Sequence, residues 1–258
     1  MKHKNRILAC ALPLLSLSPL VYAAPNDGVQ IGAFIAHAPR YSGSNDSHLQ
    51  ILPLVSAKMG MFFLDFHRGL GVHLDLTNHW YVEQSLGYRG TRKDSDSNWG
   101  NGSDYLKGMG KTDSAWTSTT TFGYAFNPYI SADVSATTAL NHDQGINYVP
   151  TISGQFPLPN QFRLIAKASW LLATHNYTQT FYGVNTTQSQ QTGFARYHSA
   201  GGGYGHQLSL GLIKLIGENM TASLLVGYTH LSDKVARSDV VQDNNNLTTV
   251  LALSYRIW

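Results

Sequence analysis

Apolar and polar residues alternate along most of the chain, in stretches of about ten residues that begin near residue 29 and continue to its end. Met220, Ala222, Leu224, Val226 and Tyr228, for example, are separated mostly by small or polar residues. Successive side chains of a β-strand point to opposite faces, so this pattern predicts strands with one apolar and one polar face. The chain is therefore expected to be all-β.

The connections between these stretches alternate between short and long. We expect twelve antiparallel strands, at residues 29–38, 49–58, 61–66, 70–76, 79–88, 116–126, 129–137, 148–156, 161–171, 203–215, 220–230 and 247–257. Every second connection is short, whereas the others include the long segments 89–115, 172–202 and 231–246. This alternation is typical of an up-and-down transmembrane β-barrel with both termini in the periplasm. The third strand is the shortest, and without its hairpin the barrel would have ten strands.

The N-terminus has the features of a secretory signal. Lys2, Lys4 and Arg6 form a basic region, residues 7–20 are mostly apolar, and Val21-Tyr22-Ala23 is a small-x-small cleavage site. We therefore expect a cleaved signal peptide at residues 1–23 and one barrel domain at residues 24–258. A soluble β-sandwich would show the same alternation, but export together with the pattern of connections favours the outer membrane of a Gram-negative bacterium.

Composition narrows the function classes. The chain has 18 Lys and Arg residues, and removing the three in the signal leaves 15, equal to the 15 Asp and Glu residues beyond it. With no net charge and no basic run, nucleic acid is not an expected partner. Cys10 is the only cysteine and lies in the signal, so the mature chain is expected to contain no disulfide.

Charged residues on the polar faces of the strands are candidates for the barrel interior. Asp75, Glu83, Asp133, Arg163 and Lys167 fall at inward positions of the predicted strands. In a barrel of this size, such groups either line a narrow aqueous pore or pair with one another and fill it. The pattern alone leaves both alternatives open.

Catalysis is not indicated by any motif. Ser and His residues are numerous, but there is no Gly-x-Ser-x-Gly nucleophile elbow and no His-Glu-x-x-His metal motif. The triple glycine at 201–203 lacks the Gly-Lys-Ser/Thr ending of a phosphate-binding loop. We therefore expect a protein that is not an enzyme and that uses neither a cofactor nor a metal.

Four sequence blocks match a known family pattern. Residues 39–46, which include Tyr41 and Gly43, are similar to a Pro-x-Tyr-x-Gly-Ser segment, and a Leu-Pro strand follows at 52–54. Residues 181–184, with Tyr182 and Gly183, are similar to a Tyr-Phe-Gly-Val block. The other two blocks lie at 192–197, with Gly193 and Tyr197, and at 228–238, with Leu231, Ala236 and Ser238. The last block departs from the pattern at Asp239, where the family usually has proline.

In these blocks and over nearly its whole mature length, the chain resembles the MipA/OmpV outer-membrane proteins. The resemblance implies a barrel in contact with outer-membrane lipid and lipopolysaccharide. It also implies a scaffold for a lytic transglycosylase and a murein synthase, while other members are described as adhesins, and a small-solute channel stays open as an alternative. The motif residues then either bind a partner or simply build the loops that contain them.

Overall fold

The computed structural model describes residues 27–97 and 100–258, so the predicted signal at 1–23 lies outside the described residues. Twelve strands close into one antiparallel barrel. They are β1 (Gly28–Pro39), β2 (Ser47–Met59), β3 (Phe62–Asp65), β4 (Gly69–Asp75), β5 (Trp80–Arg89), β8 (Ala115–Asn127), β9 (Ile130–Ala139), β10 (Ile146–Leu158), β11 (Phe162–Ala173), β12 (Gly202–Ile216), β13 (Met220–Leu231) and β14 (Asn245–Arg256).

The remaining elements all lie in the connections between barrel strands. They are the two-residue strands β6 (Arg92–Lys93) and β7 (Asn101–Gly102), a 3₁₀ helix (Asp104–Leu106), and the helices α1 (His175–Tyr182), α2 (Thr186–Thr192) and α3 (Asp233–Ala236). Within the described residues, no helix combines the length and apolar character that a membrane crossing would need.

The ladder between the first and last strands closes the barrel. Gln30 pairs with Arg256 at one end of this ladder and His37 with Thr249 at the other. The predictions of an all-β antiparallel barrel and of twelve strands, including the short third one, are confirmed. We call the end with the short turns, the beginning of β1 and the end of β14 the periplasmic end, as in other bacterial barrels, and the opposite end the extracellular end.

The outer face of the wall is a belt of exposed apolar side chains. On β12 and β14, Leu208, Leu210, Leu251 and Leu253 all point outward and are at least half exposed. Aromatic residues border the belt: the Trp80 ring stacks on Phe122 near the periplasmic end, and Tyr88 meets Trp116 edge-on nearer the extracellular end. Exposed apolar residues between two aromatic girdles are what a lipid-facing barrel surface requires.

Register places Ala166 on the lipid-facing side of β11 and Ser153 of β10 on the inner side, opposite Lys167. We expect Ala166→Asp to destabilise the folded protein by about 2 kcal/mol, because a carboxylate would face hydrocarbon near the middle of the strand. Urea unfolding in lipid vesicles measures the change. Ser153→Asp is the matched control, because it places the same carboxylate beside Lys167 in the interior. Equal stability of the two variants would contradict the assigned facing.

Candidate functional site

The connections at the extracellular end, except for the short β3–β4 turn, pack together into one structure, which we call the cap. The cap comprises residues 40–46, 90–97, 100–114, 140–145, 174–201 and 232–244. It has two apolar cores. One joins Tyr177, Tyr182 and Val235 of the cap helices to inward residues near the strand ends, such as Tyr204 and Leu231. The other joins Tyr41, Leu106, Met109, Val184 and Val240 from four different connections.

Tyr182 is the residue on which the cap segments converge. Its side chain is 1% exposed, and its hydroxyl lies 2.8 Å from the Ser42 hydroxyl of the β1–β2 connection. The Ser238 hydroxyl, from the β13–β14 connection, donates a hydrogen bond of 2.6 Å to the Tyr182 carbonyl. Three connections that are distant in sequence are therefore joined at one buried residue.

The segment around Tyr41 and Gly43 binds the last connection of the barrel. The Tyr41 hydroxyl donates to the Gln242 side-chain carbonyl at 3.1 Å. Gly43 has a φ of +93°, a left-handed conformation that favours glycine, and its carbonyl accepts from the backbone amides of Gln242 and Asp243. These contacts tie the beginning of the barrel to its end at the extracellular rim.

The motif residues of the β11–β12 connection shape its two helices. Gly193 ends α2 with a φ of +79°, and a Cβ on Gly183 would overlap the Gln179 side chain. Tyr197 forms a backbone bridge with Val184, and its hydroxyl donates to the Lys234 carbonyl at 2.8 Å. This connection therefore carries its own internal bonds as well as a bond to α3.

All nine family-motif residues lie in the cap or at its base. Leu231 is fully buried beneath it, Ala236 is the last residue of α3, and Ser238 is 2% exposed. Asp239, which replaces the family's proline, accepts a hydrogen bond from the Ala195 backbone amide at 2.6 Å. The structure thus gives these residues a role in building the cap, and partner binding by them stays a prediction.

A buried arginine sits among the aromatic rings of the cap. Arg92 is 7% exposed and donates to the Phe181 carbonyl at 2.6 Å, and among the described residues its Nε has no partner. Burial lowers the pKa of Arg92, and burial also raises the pKa of the Tyr41 and Tyr182 hydroxyls. Burial in the cap therefore favours the neutral form of these tyrosine hydroxyls.

Beneath the cap, the barrel encloses a cavity of about 500 Å³. It extends from the β8–β9 turn at Pro128 and Tyr129 to Leu171 and Tyr204 under the cap. Four of the five predicted lumen residues line it: Asp75, Glu83, Asp133 and Lys167. Arg163 is on the inner face of β11 by register but is not part of the cavity lining.

The charged residues on one side of the cavity bind one another. Arg68 donates to Glu83 at 3.0 Å, and the two ring nitrogens of His73 lie 2.8 Å from Glu83 and 3.2 Å from Asp75. The Arg68 guanidinium also lies over the Phe63 ring at 4.2 Å. These groups form a chain of ion pairs across β4, β5 and the β3–β4 turn, as expected for charges held inside a barrel.

A second charged pair faces this chain. Asp133 and Lys167 interact electrostatically, and the Tyr81 hydroxyl donates a hydrogen bond to Asp133. Tyr81 reaches Asp133 because its ring lies over Gly123, where a Cβ would overlap it. The charged groups of the interior are thus paired with one another, which is one of the two arrangements that the sequence left open.

Sequence reasoning missed Arg68, Tyr81 and Arg92. Arg68 lies in the three-residue turn 66–68, for which no inward position was predicted, and Phe66 of that turn packs edge-on against Phe34 inside the wall. Tyr81 shares its inward parity with Glu83 and was detectable from that spacing. No local pattern marks Arg92, because its burial depends on contacts between distant connections.

The cap tyrosines predict an alkaline transition. Their hydroxyls have a raised pKa in the folded state, so this contribution to stability is complete below the unfolded value near 10 and is lost as the pH rises above it. We expect the cap to loosen above about pH 10. Limited proteolysis of the cap, with tyrosine ionisation followed at 295 nm, measures this. Ionisation of all tyrosines in one step near pH 10 with the cap still resistant would contradict it.

Ser238 offers a test of the cap at neutral pH. Ser238→Val leaves the buried Tyr182 carbonyl without a donor, and we expect a loss of about 1–3 kcal/mol in cap stability. The temperature at which a protease begins to cut the cap reports the change. Ser95→Val is the matched control, because Ser95 is exposed in the same cap. A Ser238→Val cap that melts together with that of Ser95→Val would refute the assigned role.

Several solved structures share the barrel architecture with this chain. The porin NanC aligns with a TM-score of 0.48 and 8% identity, over 86% of this chain and 98% of that chain. The COG4313 outer membrane channel from Pseudomonas putida F1 has a TM-score of 0.45 and 12% identity, over 93% and 99% of the two chains. The translocator domain of the autotransporter NalP from Neisseria meningitidis has a TM-score of 0.47 and 10% identity, over 91% and 90%.

The sequence of this chain matches a described family. No curated protein matches the chain. The family described as MltA-interacting protein MipA matches residues 31–257, which is nearly all of the described barrel and cap. The predicted family and the predicted outer-membrane location are both confirmed. The chain therefore belongs to the MipA family of outer-membrane β-barrel proteins.

Proposed function

We propose that this protein is a non-enzymatic outer-membrane scaffold that holds murein-remodelling enzymes, among them a lytic transglycosylase, at the inner surface of the outer membrane. The observation that carries the proposal is the cap. Its buried cores join the ends of the strands to loops from four connections, and Gln144 of a fifth connection accepts a hydrogen bond from Arg89 at the end of β5. The extracellular mouth is therefore covered by folded protein. A covered mouth favours a binding role over conduction.

The barrel interior supports the same reading. Arg68, His73, Glu83 and Asp75 form one ion-paired chain, and Asp133 and Lys167 lie opposite it. Charges that are committed to one another fix the shape of the wall and leave a narrow interior. The family description, MltA-interacting protein, supports a partner of the lytic transglycosylase class.

The periplasmic rim is the surface that such an enzyme would meet. The turns there are short, but several carry exposed apolar side chains: Met61, Tyr129 and Trp258 are each about half exposed or more. Exposed apolar residues at the rim, beyond the girdle, are suited to protein contact. We assign the docking of the enzyme to this rim.

Binding of a purified lytic transglycosylase of the MltA class to the refolded barrel in detergent tests the proposal. We expect binding of the unaltered barrel. The double variant Met61→Ser and Tyr129→Ser should bind about tenfold more weakly, because each substitution removes apolar contact area. Tyr105→Ser is the matched control, because Tyr105 is similarly exposed but lies in the cap. No binding, or equal losses for rim and cap variants, would overturn the scaffold role.

A small-solute channel is the second candidate, and the charged cavity is the observation that favours it. Single-channel recording in a planar bilayer separates the two candidates. We expect the intact protein to be silent and a variant lacking residues 176–199 to show discrete openings, because that segment includes most of α1 and all of α2 over the mouth. Reproducible openings of the intact protein would establish the channel, and Asp133 and Lys167 would then be the first residues to substitute.

A further inference from the structure

The barrel wall is incomplete on one side of β2. The ladder between β2 and β3 runs only from the Met59–Phe62 pair to the Ser56–Asp65 pair, because β3 has four residues. On its other side, β2 is paired with β1 from Lys58 opposite Gly28 up to Ser47 opposite Pro39. Residues 47–55 of β2 therefore have a neighbouring strand on one side only.

The hydrogen bonds show which backbone groups face the open side. Val29 exchanges hydrogen bonds with Trp258 and Ile257, so the odd-numbered residues of β1 bond toward β14 and the even-numbered ones toward β2. The bond from the Arg40 amide to the Asp46 carbonyl agrees with this assignment. On β2, the odd-numbered residues therefore direct their amide and carbonyl groups away from β1. These residues are Ser47, Leu49, Ile51, Pro53 and Val55.

Among residues 27–97 and 100–258, no hydrogen bond reaches the open-side backbone groups of these five residues. Pro53 fits this position, because a proline has no amide hydrogen and is tolerated in a sheet mainly at an edge. The other four residues offer four amide donors, and all five offer carbonyl acceptors. The upper half of β2 is thus a strand edge inside an otherwise closed barrel.

This edge lies within the apolar belt. Leu49, Ile51 and Val55 point outward and are 60%, 55% and 40% exposed, and Ile51 is level with the lipid-facing Ile35 of β1. Hydrocarbon supplies neither donors nor acceptors, so lipid chains leave these backbone groups unsatisfied. A polypeptide backbone beside the edge would supply the donors and acceptors that lipid lacks.

A second irregularity lies on the same side of the barrel. Gln84 of β5 points outward, where it donates to the Ser118 hydroxyl at 2.8 Å and accepts from the Thr120 hydroxyl at 2.6 Å. This polar group is positioned between the aromatic pairs Trp80–Phe122 and Tyr88–Trp116. Polar side chains are rare on lipid-facing surfaces, so this face is suited to protein contact.

A second copy of the barrel does not satisfy the edge. Strands of such barrels are tilted by about 40° to the membrane normal. Two copies in one membrane are related by an axis along that normal, which gives the second β2 the opposite tilt where the copies meet. The two edges then cross and form no ladder. A strand already built into another closed barrel would cross the edge in the same way and form no ladder. The remaining candidate is a free extended segment.

We propose that the open edge of β2, from Ser47 to Val55, binds a free extended segment of a partner polypeptide by strand addition. The segment runs antiparallel to β2, and its apolar side chains alternate and face the lipid. Residues opposite the odd positions of β2 share their outward facing, so the apolar residues of the guest are the ones whose backbone groups bond to β2. The edge serves any partner with such a segment, whether or not it remodels murein.

Peptide binding to the refolded mature protein in phosphatidylcholine vesicles tests the proposal. The probe is a fluorescein-labelled peptide with the sequence of residues 29–37, which has the required alternation and is the natural neighbour of β2 on its other side. One form is N-methylated at the amides of Ile31, Ala33 and Ile35, and the other at those of Gln30, Gly32 and Phe34. We expect the first form to bind at least about tenfold more weakly than the unmodified peptide, and the second to bind almost normally.

Substitutions in β2 provide the reciprocal test. Pro53→Ala adds one donor to the open edge and should tighten binding by about two- to tenfold. Ile51→Pro removes a donor and should weaken binding, while the pairing with β1 is kept because the Ile51 amide faces away from β1. Pro150→Ala is the matched control, because Pro150 lies in β10 between two neighbouring strands, and it should leave binding unchanged.

Three outcomes would overturn strand addition. The first is equal binding of the two methylated peptides, which shows that backbone bonds are not used. The second is a lack of peptide binding together with a disulfide in the Ile51→Cys, Tyr88→Cys variant, which shows that β2 closes onto β5. The third is a disulfide between copies of a Leu49→Cys variant, which shows that a second copy occupies the edge. The mature chain adds no cysteine of its own to these tests.

Discussion

Backbone amide and carbonyl groups in hydrocarbon must bond within the protein, and the main features of this structure depend on that requirement. It explains why β1 and β14, the most distant strands in sequence, form one ladder. It also explains why the exception is informative: β3 is too short to pair with the upper half of β2, so one strand edge stays within the apolar belt. Closure is thus complete near the periplasmic end and incomplete nearer the extracellular end.

A similar requirement applies to the charged groups of the interior, because charges that are removed from bulk water are stable only when they are paired. Glu83 accepts from both Arg68 and His73, and Gly123 gives the Tyr81 ring the space to reach Asp133. The cap then covers this polar interior with an apolar layer that includes Tyr177, Tyr182 and Tyr204. The protein therefore consists of an apolar belt, an interior of paired charged groups and a cap with an apolar core.

The strands were predictable because burial in a barrel wall has a period of two, which the sequence displays directly. Even the short β3 was found, since Met59-Gly60 and the following residues mark its turns. The helices α1 and α2 were not predicted, because they lie in a mostly polar segment without helical periodicity. Their ends depend on local bonds such as the Asn185 capping box, and their position depends on packing against strand ends. The inward position of Phe66 and Arg68 was not predicted either, because it depends on contacts with residues of other strands.

Contacts between family-motif residues bring separate loops together at the surface that is exposed outside the cell. Tyr41, Tyr182 and Ser238 come from three separate parts of the sequence and meet in one folded layer. An antibody raised against the folded protein will therefore recognise neighbouring pieces of several loops rather than one continuous peptide. Antisera against single loop peptides will in turn bind the denatured chain well and intact bacteria poorly.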